Sequence, residues 1–146
     1  MNGNLCLEDY VLVGNNIVAG DTHMKILIAE DDAMLQAMAD TLMGHWGYNF
    51  DLVSNGREAV EKAMACNGDY DLCLMDIDMP VMNGFEATRL IREKVKYFPI
   101  MAITGNPTAK RKFFDVGMDD FLGKPYAIRD LQNKINKLTV KYYQHQ

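Results

Sequence analysis

The chain has 146 residues, the size of one ordinary domain and enough to bury a core. It is 49% hydrophobic and 24% charged with a formal net charge of −5, a globular balance that argues against a non-specific nucleic-acid binder. No apolar run approaches the roughly 18–20 residues of a bilayer span, and the first residues lack a signal peptide's basic-then-apolar layout, so a cytoplasmic location is expected.

Residues 1–23 stand apart from the rest of the chain. Tyr10-Val11-Leu12-Val13, then Gly14-Asn15-Asn16, then Ile17-Val18 can form a small hairpin, but Met24-Lys25 resembles a domain start, and the expectation is a flexible leader of unassigned role. Ile26-Leu27-Ile28-Ala29 is apolar without alternation, as in a strand buried on both faces. Met34, Leu35, Met38, Leu42 and Trp46 then repeat at helical spacing. A weaker strand over Asn49 to Val53 precedes a helix carrying Ala59, Val60, Ala63 and Met64. Leu72-Cys73-Leu74-Met75 is a second fully apolar run, followed by a helix that starts just after Gly84 with Phe85, Leu90 and Ile91. Ile100-Met101-Ala102-Ile103 is the third such run. A short helix is expected to follow Pro107, with the proline in its first turn. A weak strand over Asp120 to Leu122 leads to a last helix with Ile128, Leu131, Ile135 and Leu138 on one side and lysines on the other.

Strands alternating with helices at this spacing predict an α/β fold of five β-α units, a doubly wound three-layer sandwich around a parallel sheet. The domain is expected over residues 24–142, leaving 143–146 as a tail. Ligands collect beyond the carboxyl ends of strands in such a sheet. Those ends here are Glu30-Asp31-Asp32, then Asp76 with Asp78 close behind, then Thr104-Gly105, then Lys124-Pro125.

Close carboxylates raise one another's pKa, so a cation must offset them. An oxygen-only donor set suits magnesium, which keeps several waters and favours a phosphoryl group as a further ligand. A carboxylate can act as a nucleophile and form an aspartyl phosphate, while a lysine and a hydroxyl take the remaining phosphoryl oxygens. Each piece also has a plain structural reading. Three acidic residues after a strand usually cap a helix, a role expected of Asp32; Asp76 alone is a turn residue, Lys124 a solvated lysine, Thr104 a strand residue. The case rests on all four strand ends together. Cys6, Cys66 and Cys73 are odd in number and widely spaced, which argues against a disulfide framework or zinc knuckle. His23, His45 and His145 share no metal-ligand spacing.

Four segments carry a resemblance: Lys25 to Asp32 (KILIAEDD), Asp71 to Gly84 (DLCLMDIDMPVMNG), Met101 to Gly105 (MAITG) and Asp119 to Pro125 (DDFLGKP). Together they resemble the receiver domains of two-component signalling, over about Met24 to Leu138. The resemblance implies a flavodoxin-like sheet of order 2-1-3-4-5. It also implies Asp76 as phospho-acceptor, and Asp31, the Asp76 side chain, the Asp78 backbone carbonyl and Glu30 (through water) as holders of Mg2+, with Mn2+ as an alternative ion. Thr104 and Lys124 match the phosphate-contacting hydroxyl and lysine. Thr104 and Phe121 match the switch pair, and Lys124-Pro125 the peptide bond that is usually cis. Asn83 stands where Asp is commoner, Gly123 where Ala or Ser is commoner, and Phe121 lacks the hydroxyl of the tyrosine in some members.

The function so implied is regulatory rather than that of a turnover enzyme. A histidine kinase or histidine phosphotransfer protein gives a phosphoryl group to Asp76, and the surface of the fourth helix, fifth sheet strand and fifth helix shifts to regulate a downstream protein, without direct nucleic-acid contact. The alternative is a relay intermediate that passes its phosphate to a phosphotransfer protein. A haloacid-dehalogenase-like phosphatase would also use Asp76-x-Asp78, but Met79-Pro80 follows and no suitable acidic residues come later. A nucleotide-binding protein would want a glycine-rich turn after the first strand, and an inactive receiver would have lost Asp76 or Lys124. Beyond Leu138 only Thr139 to Gln146 remain, so a stand-alone regulator, a relay shuttle or a receiver from a hybrid kinase is expected.

Overall fold

The computed structural model describes residues 10–13, 16–19 and 24–144. Strands β1 (Tyr10–Val13) and β2 (Asn16–Ala19) pair antiparallel, Tyr10 opposite Ala19 and Val13 opposite Asn16. These two strands form the small hairpin that the sequence allowed. The domain proper alternates β3 (Lys25–Ala29), α1 (Ala33–Trp46), β4 (Asn49–Val53), α2 (Gly56–Ala65), β5 (Leu72–Asp76), α3 (Gly84–Lys94), β6 (Ile100–Thr104), α4 (Lys110–Asp115), β7 (Asp120–Gly123) and α5 (Ile128–Gln144). Five parallel strands form one sheet in the order β4-β3-β5-β6-β7, which is 2-1-3-4-5 counted within the sheet. Both weak strand expectations are met. Helix α5 runs past residue 142, where the domain was expected to end.

Alternation along each buried strand divides the core between the two faces of the sheet. Leu27, Ala29, Cys73, Met75, Ile100 and Ala102 join Ala59, Ile91, Phe98 and Phe113 on one face. Ile26, Ile28, Leu72, Leu74, Met101 and Ile103 join Met43, Leu131, Ile135 and Leu138 on the other. Every residue of β5 and β6 is buried, which is why their sequences show no polar alternation.

The helix starts follow from local chemistry. Asp32 caps α1, accepting from the backbone N–H of Met34 and Leu35 at 2.9 and 3.0 Å, and Asn55 and Asn83 cap α2 and α3. Helix α4 departs from expectation. Pro107 lies in the loop and the helix begins at Lys110, with no side-chain cap. Its approach is taken by turn contacts instead: the Thr104 hydroxyl accepts from the Asn106 N–H at 3.0 Å, and the Thr108 hydroxyl donates to the Asn106 side chain. Such local bonds compete with helix, and the residue before a proline disfavours the helical region.

Candidate functional site

Strand register decides which side chains meet. Ala29 is opposite Met75, so Glu30 leaves β3 level with Asp76 at the end of β5. Asp76 is opposite Ile103, and Thr104 opposite Gly123, so Thr104 follows on β6 and Lys124 on β7. Sequence positions 30, 76, 104 and 124 therefore share one edge of the sheet. The Lys124 Nζ lies 3.1 Å from Glu30 Oε1 and 3.2 Å from Asp76 Oδ2. Glu30, Asp76 and Thr104 are buried, and Asp31 is exposed at the mouth. Carboxylate oxygens of Glu30, Asp31 and Asp76 lie within 4.8 Å of one another. The Lys124–Pro125 peptide is cis.

The electrostatics of this edge are unbalanced. Burial, and then the Asp76 carboxylate beside it, push the Glu30 carboxyl up to about 7 against the pull of Lys124. Burial alone would lower the Lys124 ammonium; Asp76 and Glu30 outweigh it and raise it. The Lys124 ammonium thus pairs with two of the three clustered carboxylates. The second Glu30 oxygen is buried with no hydrogen-bond partner. A buried, unpartnered carboxylate oxygen costs free energy unless something fills the place. A hard divalent cation fits: the donors are all oxygens, three carboxylates converge, and an ion would satisfy the orphaned atom.

The segment after β5 carries two backbone features that the sequence pattern does not announce. Gly84 brings the start of α3 against the site strand: a Cβ there would overlap the Asp76 carbonyl oxygen, and the Gly84 N–H donates to the Ile77 carbonyl at 2.9 Å. Val81 has φ of +69°, the left-handed region that a β-branched residue seldom enters, and it is exposed. A third feature gave no signal at all. Arg92 on α3 donates to the carbonyls of Gly117 and Phe98 and pairs with Asp119 at 3.0 Å, tying α3 to the loop before β7. In sequence it looks like a surface arginine.

Phe121 on β7 is half-buried, its ring centroid 5.5 Å from that of Phe113. Cys66 and Cys73 are free thiols, whereas Cys6, His23 and His145 lie outside the described residues. No helix among the described residues is long and apolar enough to cross a membrane.

The family model described as "Response regulator receiver domain" matches residues 26–136. The chain belongs to the response regulator receiver family. The receiver is 36% identical over 120 residues to two-component response regulator 24 of Arabidopsis thaliana, covering 81% of this chain and 86% of that one. It also matches hybrid signal transduction histidine kinases of Dictyostelium discoideum, of whose length it spans 4 to 7%. Among solved structures, it resembles the receiver domain of the sensor histidine kinase PA1611 of Pseudomonas aeruginosa (34% identity, TM-score 0.72, 80% of this chain and 98% of that one), which has a magnesium ion in its active-site cleft. It also resembles the Saccharomyces cerevisiae Ssk1 receiver, solved with the phosphotransfer protein Ypd1 (27% identity, TM-score 0.73, 81% and 90%). The receiver therefore belongs to two-component signalling, a regulatory family. The haloacid-dehalogenase reading falls with that assignment.

Proposed function

We propose that the receiver takes a phosphoryl group onto Asp76 and that this changes the surface formed by α4, β7 and α5. The observation that carries the reading is the clustering of the Glu30, Asp31 and Asp76 carboxylates, two of them paired with Lys124, with a buried Glu30 oxygen left unpaired. Asp76 attacks phosphorus with a side-chain oxygen; an O–P bond forms and the N–P bond of a phosphohistidine breaks, its electron pair staying with the imidazole nitrogen. Lys124 stands by Asp76 to pair with a phosphoryl oxygen, and the Thr104 hydroxyl, tied in this state to its own loop, is free to turn toward another. Glu30, Asp31, the Asp76 side chain and the Asp78 carbonyl would hold Mg2+, or Mn2+ in its place. When bound, that ion neutralises charge on the transferred group.

Movement of Thr104 leaves space for the Phe121 ring, a population shift driven by contacts that exist only with phosphate present. The donor in this reading is a histidine kinase or a histidine phosphotransfer protein, as the Ssk1–Ypd1 pair supports, and the compartment is the cytoplasm. The working unit starts at about residue 24 and runs through α5, with 1–23 an extension. The receiver turns over no substrate of its own.

Amide chemical shifts with and without a beryllium fluoride mimic and magnesium test the switch. Wild type is expected to shift across residues 107–122, and Thr104→Ala to bind the mimic without that response. Absence of shifts there in mimic-bound wild type would favour the relay alternative, in which phosphate passes on without a change of shape.

A further inference from the structure

Of the three clustered carboxylates, Asp31 is held differently from the other two. Glu30 and Asp76 are buried and paired with Lys124. Asp31 is exposed, and its carboxylate has no hydrogen bond or ion pair among the described residues. Its direction is therefore set by the backbone it leaves, and any looseness there is entropy that an arriving ion must remove.

That backbone is held on both sides. After Asp31, the chain is fixed by Asp32, whose side chain caps α1 through the N–H groups of Met34 and Leu35. Before it, the Glu30 N–H donates to the Val53 carbonyl at 3.0 Å, and the Glu30 carbonyl accepts from the side-chain amide of Gln36 at 2.5 Å. This carbonyl belongs to the peptide joining Glu30 to Asp31, so Gln36 fixes the plane from which the Asp31 side chain departs. The same amide nitrogen donates to the Ser54 hydroxyl at 3.2 Å, just after β4. A carbonyl only accepts, so the nitrogen end of the amide must face Glu30. Gln36 lies in the first turn of α1, where its own N–H donates to the Asp32 carbonyl at 2.9 Å. Helical side chains tilt toward the helix N-terminus, which lets it reach back past the cap.

We propose that Gln36 is a positioning residue for the metal: by clamping the Glu30–Asp31 peptide to α1 and to the turn after β4, it holds Asp31 ready for magnesium and so sets magnesium affinity. The inference rests on the reading of Glu30, Asp31 and Asp76 as the metal site and adds a residue outside the donor set. Lys124 holds the Glu30 side chain independently, so the influence of Gln36 runs through Asp31. Groups that orient metal ligands from behind change affinity by roughly 10- to 100-fold when removed, and one contact to a backbone carbonyl belongs at the low end.

Magnesium titration of the full chain, followed by the amide shifts of residues 30–36, tests this in wild type, Gln36→Met, Asp31→Asn and the double variant. Methionine keeps the length of the side chain and removes both donated hydrogens. Gln36→Met is expected to bind magnesium about tenfold more weakly, and the magnesium needed for half-maximal labelling by acetyl phosphate is expected to rise by the same factor. In the Asp31→Asn background the same substitution is expected to cost less than about twofold, because the group it positions is gone. A glutamine that only stabilised the fold would leave the magnesium affinity of the folded protein alone, or cost the same in both backgrounds. Ser54→Ala keeps Gln36 but frees its amide, and a loss of about two- to threefold is expected. Urea unfolding in a chelator checks that each variant is folded. Magnesium binding by Gln36→Met within about twofold of wild type, or an equal loss with and without Asp31, overturns the proposal. If Gln36→Met does not fold, unchanged affinity in Ser54→Ala overturns it instead. A wild type with no magnesium response at residues 30–32 overturns the metal reading and this inference with it, whereas a wild-type response that Gln36→Met fully retains overturns this inference alone.

Discussion

Replacing Glu30 by glutamine removes one charge from the site while keeping an oxygen near Lys124. In the metal-free receiver the Glu30 carboxyl sits at about 7 against an ordinary 4.5, because it is buried and beside Asp76. A carboxyl raised in the folded state is favourable to folding below pH 4.5, where both states hold the proton. That contribution is lost as pH climbs through 7, because the unfolded chain ionises freely while the folded one must ionise against its surroundings. The difference is about 3 kcal/mol at pH 8, an order of magnitude for a residue with almost no solvent to screen it. Glu30→Gln is therefore expected to stabilise the receiver by about 2–3 kcal/mol at pH 8 in the presence of a chelator, and to have little effect near pH 4.5. Urea unfolding of both proteins at the two pH values measures it. Added magnesium is expected to close the gap by binding the wild-type folded state better, stabilising it by mass action. An equal difference at both pH values would refute the electrostatic argument, and destabilisation at pH 8 would reverse it.

Gly84→Ala drives a methyl group into the Asp76 carbonyl; a loss of about 1–3 kcal/mol in urea unfolding is expected, together with slower phosphorylation, since the same atoms carry the acceptor. Val81→Gly releases a left-handed strain of about 1–2 kcal/mol and adds about 0.5–1 kcal/mol of unfolded-chain entropy, so the variant is expected to be as stable as wild type or up to about 1.5 kcal/mol more stable. A clear loss of stability in the same assay would mean that the Val81 side chain packs in a way its exposure does not suggest.

The fold was legible where burial is uniform. β3, β5 and β6 lie inside the sheet with covered faces, and their apolar runs announce it. The edge strands β4 and β7 mix exposures and gave weaker signals, yet the spacing of the helices around them set their places. The site was legible because the carboxyl ends of parallel strands share an edge, so that residues 30, 76, 104 and 124, spread over most of the chain, had to meet. What stayed hidden depends on long-range backbone geometry. The start of α4 is decided by competing turn bonds around Asn106, the demand for glycine at 84 by a carbonyl across a loop, and the role of Arg92 by two carbonyls and an aspartate far along the chain. None of these leaves a periodic trace.

The central claim is that Asp76 is the phospho-acceptor. Incubation of the receiver with acetyl phosphate and magnesium, followed by intact-mass measurement and site mapping of the hydroxylamine-sensitive phosphate, tests it most directly. One phosphoryl group on Asp76 is expected in wild type, lost on chelation of the metal during the reaction and absent from Asp76→Asn. A phosphate mapped to another residue in wild type, or undiminished labelling of Asp76→Asn, would contradict the account.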